Sequence, residues 1–220
     1  MSASHHISPE PVPHRRGRSL RLAALCVPLL CLLLAGCLVP DKYHAVLSLS
    51  NPGYSLEYIG EMHMAAAYSE TYRRSIDSDP QKLARTVMRE FARVIRERPQ
   101  GQVEIQPVSD TTFRTRFSYV SPYSLPEASG MFKLSVNGDT LTVVSRPMSA
   151  KDREFLRLND ITSKGKLCIK AFGTVLETNA QRTATILNRC NEWDMDNLDT
   201  PIKLVVKFSK PIPNPPAPQQ

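Results

Sequence analysis

His63 lies within Glu61-Met62-His63-Met64, where an imidazole between two thioethers suits copper or zinc. No second cluster of His, Cys or Met stands at metal-ligand spacing, so no metal is expected there. Asp194, Asp196 and Asp199 follow Trp193 as an acidic run that could attract calcium. The run lacks the glycine and closing glutamate of a calcium loop and reads as a polar turn around a core tryptophan. A tryptophan at a pocket mouth could also stack on a lipid or sugar, which keeps Trp193 among the candidate ligand-facing residues. Neither His-x-x-x-His nor Cys-x-x-Cys occurs, and there is no Gly-x-Ser-x-Gly or phosphate-cradling glycine loop. The chain is therefore expected not to be an enzyme, with no catalytic residue, metal or cofactor assigned.

The cysteines speak to location instead. His14-Arg15-Arg16-Gly17-Arg18-Ser19-Leu20-Arg21 precedes a mostly apolar stretch from Leu22 to Gly36. That is the length of a signal-peptide core and shorter than the roughly 20 residues of a membrane-spanning helix. Leu34-Ala35-Gly36-Cys37 ends it and resembles the bacterial lipobox, in which the cysteine thiol receives a diacylglycerol and the chain is cut on its amino side. The resemblance implies a signal peptide over 1–36, lipidation (palmitate included) at Cys37 and anchoring to a membrane of the cell envelope. Leu38 replaces the aspartate that would favour inner-membrane retention, so the expected address in a Gram-negative cell is the outer membrane, facing the periplasm. Cys168 and Cys190 are left over, and in an oxidising compartment they are expected to form a disulfide.

Removing residues 1–36 leaves 24 Lys and Arg against 20 Asp and Glu, so the net charge falls from +7 to +4. Mild positive charge suits anionic lipid head groups. No nucleic-acid motif accompanies it, so nucleic acid is not expected as a partner.

The elements that would position these groups follow from periodicity. Residues 37–42 read as a short tether, 43–209 as one domain and 210–220 as a proline-rich, unpacked tail. Tyr43 to Ser50 and Tyr54 to Ile59 flank Asn51-Pro52-Gly53 as a hairpin. The segment from Glu61 to Arg74 fits strand or helix. Asp79-Pro80 opens a helix that runs to Arg98, with Leu83, Val87, Met88, Phe91, Val94 and Ile95 on one face. Lys82, Arg85, Arg89, Arg93 and Arg96 crowd its other sides. The last four, with Trp193, are the candidate ligand or membrane surface.

After the helix the period becomes two. Strands are expected around Val103–Ile105, Phe113–Tyr119, Met131–Val136 and Thr140–Ser145, the last two joined through Asn137-Gly138-Asp139. Ser121 to Ser129 reads as a loop, and Ser149 to Leu158 as a short helix or turn. Further strands are expected at Cys168–Phe172, Val175–Glu177, Thr185–Leu187, Glu192–Met195 and Ile202–Phe208. The expected fold is α+β, a curved and mostly antiparallel sheet with one main amphipathic helix packed on it.

Leu38-Val39-Pro40-Asp41 after the lipobox cysteine, a central helix, then Gly173-Thr174-Val175-Leu176-Glu177-Thr178-Asn179-Ala180 and Trp193-Asp194-Met195 together resemble the LppM-type lipoprotein domain. The resemblance implies a curved α+β domain that binds envelope lipids. Ala171-Phe172 departs from a Pro-Gly pair common in that family, and a proline tail replaces its frequent C-terminal membrane segment. Two functions are thus expected: an anchored, non-enzymatic module for envelope lipid or another amphiphile, or an accessory lipoprotein of an envelope or secretion assembly that binds a protein.

Overall fold

The computed structural model describes residues 38–64, 80–125, 131–146, 150–197 and 199–213. The leader 1–36, Cys37, residues 65–79 with the Asp79 cap, and 214–220 of the tail lie outside them. The described residues form ten strands and two helices. In chain order these are β1 (Leu38–Leu49), β2 (Gly53–Met64), α1 (Pro80–Arg96), β3 (Gln102–Pro107), β4 (Thr112–Pro122), β5 (Phe132–Asn137) and β6 (Thr140–Ser145). There follow α2 (Ala150–Leu158), β7 (Gly165–Ala171), β8 (Thr174–Thr178), β9 (Cys190–Met195) and β10 (Lys203–Lys207).

The strands divide into a six-stranded sheet of order β3-β4-β2-β1-β7-β9 and a four-stranded sheet of order β5-β6-β10-β8. β1 and β7 run parallel, and every other pairing is antiparallel. Alternation decides what each sheet buries. Tyr43, Ala45, Leu47 and Leu49 of β1, Leu56 and Tyr58 of β2, and Phe117 and Tyr119 of β4 point inward. Leu141, Val143, Leu204 and Val206 of the smaller sheet join them in one hydrophobic core. Each fully buried aliphatic side chain contributes about 1.5–3 kcal/mol relative to exposure.

α1 places Ala84, Met88, Phe91 and Ile95 on its buried stripe, at alternating spacings of four and three, and Phe91 meets the edge of the Phe117 ring at 5.3 Å. Stacked rings continue from Phe117 to Tyr58 and from Tyr58 to Tyr43. The Tyr43 ring has room because Gly60 and Gly165 flank it; a Cβ on either would lie 2.5 Å from a Tyr43 carbon.

Several expectations need correction. One sheet was expected and two are found, because a period of two assigns faces but not partners. Leu38 to Lys42 is not a tether: it is paired with Met64 to Glu61 as the first part of β1. Thr185 to Leu187 is not a strand but lies in a connection between β8 and β9. Ser121 and Pro122 end β4 rather than begin a loop. Lys210 to Ile212 is not unpacked: the Asn51 amide donates to the Lys210 and Pro211 carbonyls, and Ile212 is buried in the core. Among the described residues no helix is long and apolar enough to cross a membrane.

Candidate functional site

Trp193 is the clearest correction among the site residues. It alternates with Asn191 and Met195 on the buried side of β9, is 1% exposed, and donates from Nε1 to Asn179 Oδ1 at 3.0 Å. It is a core anchor and faces no ligand. Arg85, Arg89, Arg93 and Arg96 are exposed on α1. Arg93, however, is held between Glu90 and Glu97 at 2.8 and 2.9 Å, so its charge is already met within the helix. The acidic run is also dispersed: Asp194 pairs with Arg182 and Asp199 with Arg153.

Cys168 and Cys190 form a disulfide between β7 and β9, with Cα atoms 5.2 Å apart. Immediately beyond it, residues 183–189 build a turn that the sequence did not reveal. The Thr185 amide donates to the Asn188 carbonyl at 2.6 Å and the Asn188 amide to Thr185 Oγ1 at 3.0 Å. Asn188 Oδ1 accepts from the Cys190 amide, and Asn191 Oδ1 accepts from the Ala184 amide. Ile186 and Leu187 occupy the two central positions of this turn and are 97% and 99% exposed.

Phe172, 59% exposed, stands beside the same turn across a groove of about 300 Å³ lined by Lys170, Ala171, Ala184, Thr185 and Arg189. Arg182 fixes the base of the loop. It bridges Glu192 at 2.7 Å and Asp194 at 2.9 Å, and its amide and carbonyl pair with Glu192. The Asn188 side-chain amide, donating from Nδ2, and then Arg182 hold the Glu192 carboxyl below the usual range, and Arg182 does the same for Asp194. The result is a braced, apolar tip with a basic rim.

A second feature lies on the outer face of the six-stranded sheet. His44, Val46, Glu57, Ile59, Gln102, Glu104, Arg116 and Ser118 line an open groove of about 450 Å³. Ile59 is half-exposed there.

The third is at the other end of that sheet, where β1 begins. Lys42, at φ 47°, forms a bulge that resets the alternation of β1, so Asp41 faces outward directly across from Glu61. His63 follows two residues later on the same face, and the three side chains bring one ligand atom each within 4.8 Å of one another. Asp41 is 4% exposed beneath the segment after α2. Its Oδ1 accepts from Thr162 Oγ1 at 2.7 Å and the Lys164 amide at 3.0 Å. Burial alone would push its carboxyl up; those bonds, the Lys42 amide and the nearby His63 outweigh it and hold the carboxyl below the usual range.

Thr112 and Lys42 complete this cluster. Thr112 Oγ1 lies 3.0 Å from His63 Nδ1, and Lys42 Nζ lies 3.0 Å from Glu61 Oε2. Met62 and Met64 point to the opposite face, into the core, so the thioether–imidazole copper reading of Glu61-Met62-His63-Met64 fails by strand alternation. Sequence spacing missed Asp41 because only the hairpin register joins it to His63. That register could have been counted back from Asn51-Pro52-Gly53, to within the one residue the bulge inserts.

No protein-family model and no curated protein sequence matches the chain.

Proposed function

We propose that the chain is a membrane-anchored lipoprotein of the cell envelope, acylated at Cys37, whose non-enzymatic domain docks a protein partner through the Phe172–Ile186–Leu187 tip. The observation that carries this reading is the tip itself. Two fully exposed aliphatic side chains at the apex of a hydrogen-bonded turn are pre-organised to enter an apolar pocket, and little ordering entropy remains to be lost on docking. Lys170 and Arg189 beside them fit a partner whose pocket has an acidic rim.

A lipid site enclosed between sheet and helix is less well supported, because Met88, Phe91 and Phe117 fill that space. β1 runs from the anchor side toward Leu49, and β7, parallel to it, ends at Ala171 beside the tip. Twelve residues of strand span about 36 Å. On this reading the chain reaches its anchor through Leu38, at one end of the sheet, and the docking tip lies at the other.

A second reading rests on the outer groove: an envelope lipid or other amphiphile lying against Val46 and Ile59. Photocrosslinking in intact cells separates the two. With a photoreactive residue at position 187, a discrete protein adduct is expected, absent when the same residue replaces Ile59. Lipid adducts at 59 with no protein adduct at 187 would reverse the order of the two readings.

A further inference from the structure

We infer that Asp41, Glu61 and His63 form a binding site for a divalent cation of zinc type. Three arguments meet there, each independent of the docking tip. The donor set is the first: one imidazole and two carboxylates, from adjacent strands of a hairpin, within 4.8 Å of one another. Borderline cations such as Zn²⁺ accept nitrogen and oxygen ligands together and keep a fourth position for water.

The second is the state of His63. Its Nε2 is buried and makes no hydrogen bond, although Asp41 Oδ2 lies 3.4 Å away. Facing each other without a hydrogen bond, these two atoms are spaced as two ligands of one tetrahedral ion about 2 Å from each would be. The ring is held by Thr112 Oγ1 at Nδ1, and with the proton on Nδ1 the lone pair on Nε2 faces Asp41. Thr112 Oγ1 can either donate to Nδ1 or accept from Nδ1–H, and the second arrangement is the one an ion on Nε2 requires.

The third is the support of Asp41. Thr162 and the Lys164 amide saturate Oδ1 and leave Oδ2 toward His63, as outer hydrogen bonds orient carboxylate ligands. An open groove of about 360 Å³ lined by Lys42, His44, Glu61 and Arg114 leads to the Glu61 side. Lys42 occupies Glu61 Oε2 through a surface ion pair and is itself largely exposed. It therefore competes with a cation and can swing away at little cost.

Titration of the mature domain with Zn²⁺ by calorimetry, and with Co²⁺ by visible absorption, tests the site. One equivalent is expected, weakened at least tenfold in His63→Ala and in Asp41→Asn, and 10–100-fold in Thr112→Val. Lys42→Ala removes only an exposed competitor and should tighten binding severalfold. That gain is readable even if the core variants fold poorly. His44→Ala, on the groove wall but outside the ligand set, should leave binding unchanged. No saturable binding, equal affinity in Lys42→Ala and the parent, or binding lost in His44→Ala but kept in His63→Ala would each overturn the assignment.

Discussion

The two ends of the six-stranded sheet are built from the same strands and do opposite things with their polar and apolar groups. At the start of β1 a carboxylate is buried and an imidazole nearly so, with Thr112, Thr162 and the Lys164 amide arranged around them. At the far end, past Leu49 and Ala171, two aliphatic side chains stand in solvent while the polar residues Arg182, Asn188 and Asn191 brace the turn from below. Ordinary folding would bury the second set and expose the first. The inversion at both ends teaches that neither is explained by stability alone, and we propose a ligand for each: an ion at one end, a protein at the other.

That contrast can be broken most forcefully at Trp193. It sits on the strand that leads from the tip into the core, and truncation to Ala removes a fully buried ring and orphans Asn179 Oδ1 from one of its donors. A loss of about 3–5 kcal/mol is expected in urea unfolding, as for a core aromatic. A loss under about 1 kcal/mol would return Trp193 to the candidate ligand-facing residues.

Next in size is the Cys168–Cys190 bridge, which closes a loop with a sequence separation of 22. Reduction, or Cys168→Ser with Cys190→Ser, should cost about 3 kcal/mol in the chain-entropy account. Hydrogen exchange should rise first in β9 and the 183–189 turn, leaving amides around Asp41 protected. Equal loosening at both ends would mean that the ends are not independent.

Alkaline pH sharpens the comparison further. Burial raises the phenol of Tyr43 and, well above its ordinary value, that of Tyr58, both beneath the ionic end, with the Asp41 charge adding to each. Burial likewise raises Tyr123, which donates to the Ser50 carbonyl at the other end. The unfolded phenols ionise near pH 10, while the folded ones stay protonated. The stability these groups contribute is thus full below pH 10 and is lost as pH rises from there toward the folded values. The expected slope is about 1.4 kcal/mol per phenol per pH unit. Urea unfolding at pH 9 and 11, with absorbance at 295 nm to count ionised phenols, checks it.

The smallest effect on stability belongs to the tip. Ile186→Ser with Leu187→Ser should change unfolding free energy by no more than about 0.5 kcal/mol, as for surface positions, yet abolish a protein crosslink from a photoreactive residue placed at position 172 of the same tip. A large destabilisation would make these residues structural and remove them from the docking account.

Much of the frame was legible in the sequence. The Asn137-Gly138 hairpin is present, with Gly138 at φ 61° where a turn needs it. The alternation of β4 and β10 also stands as read, and the apolar stripe of α1 in part: Met88, Phe91 and Ile95 are buried, Leu83, Val87 and Val94 only half so, and Ala84 and Ala92 are buried beside them. What was hidden depends on contacts distant in sequence. Lys42 interrupts the alternation of β1 with a bulge, which made Leu38 to Lys42 look like a tether and concealed Asp41. The parallel β1–β7 pairing joins residues 122 apart, Tyr43 with Gly165, and no local pattern announces it. Thr185 to Leu187 carries β-branched and aliphatic residues and so resembles a strand. Its hydrogen bonds instead close within the turn through Asn188, leaving the apolar side chains with nothing to cover them.

The proposed polarity of the molecule, with a membrane at one end of the sheet and a partner at the other, is tested most directly by depth. In acylated protein on vesicles containing nitroxide-labelled lipids, an environment-sensitive dye is attached at Lys164→Cys, beside the start of β1, or at Leu187→Cys on the tip. The account predicts strong quenching of the dye at 164 and none at 187. Quenching at 187 equal to or greater than that at 164 would place the tip in the bilayer and contradict it.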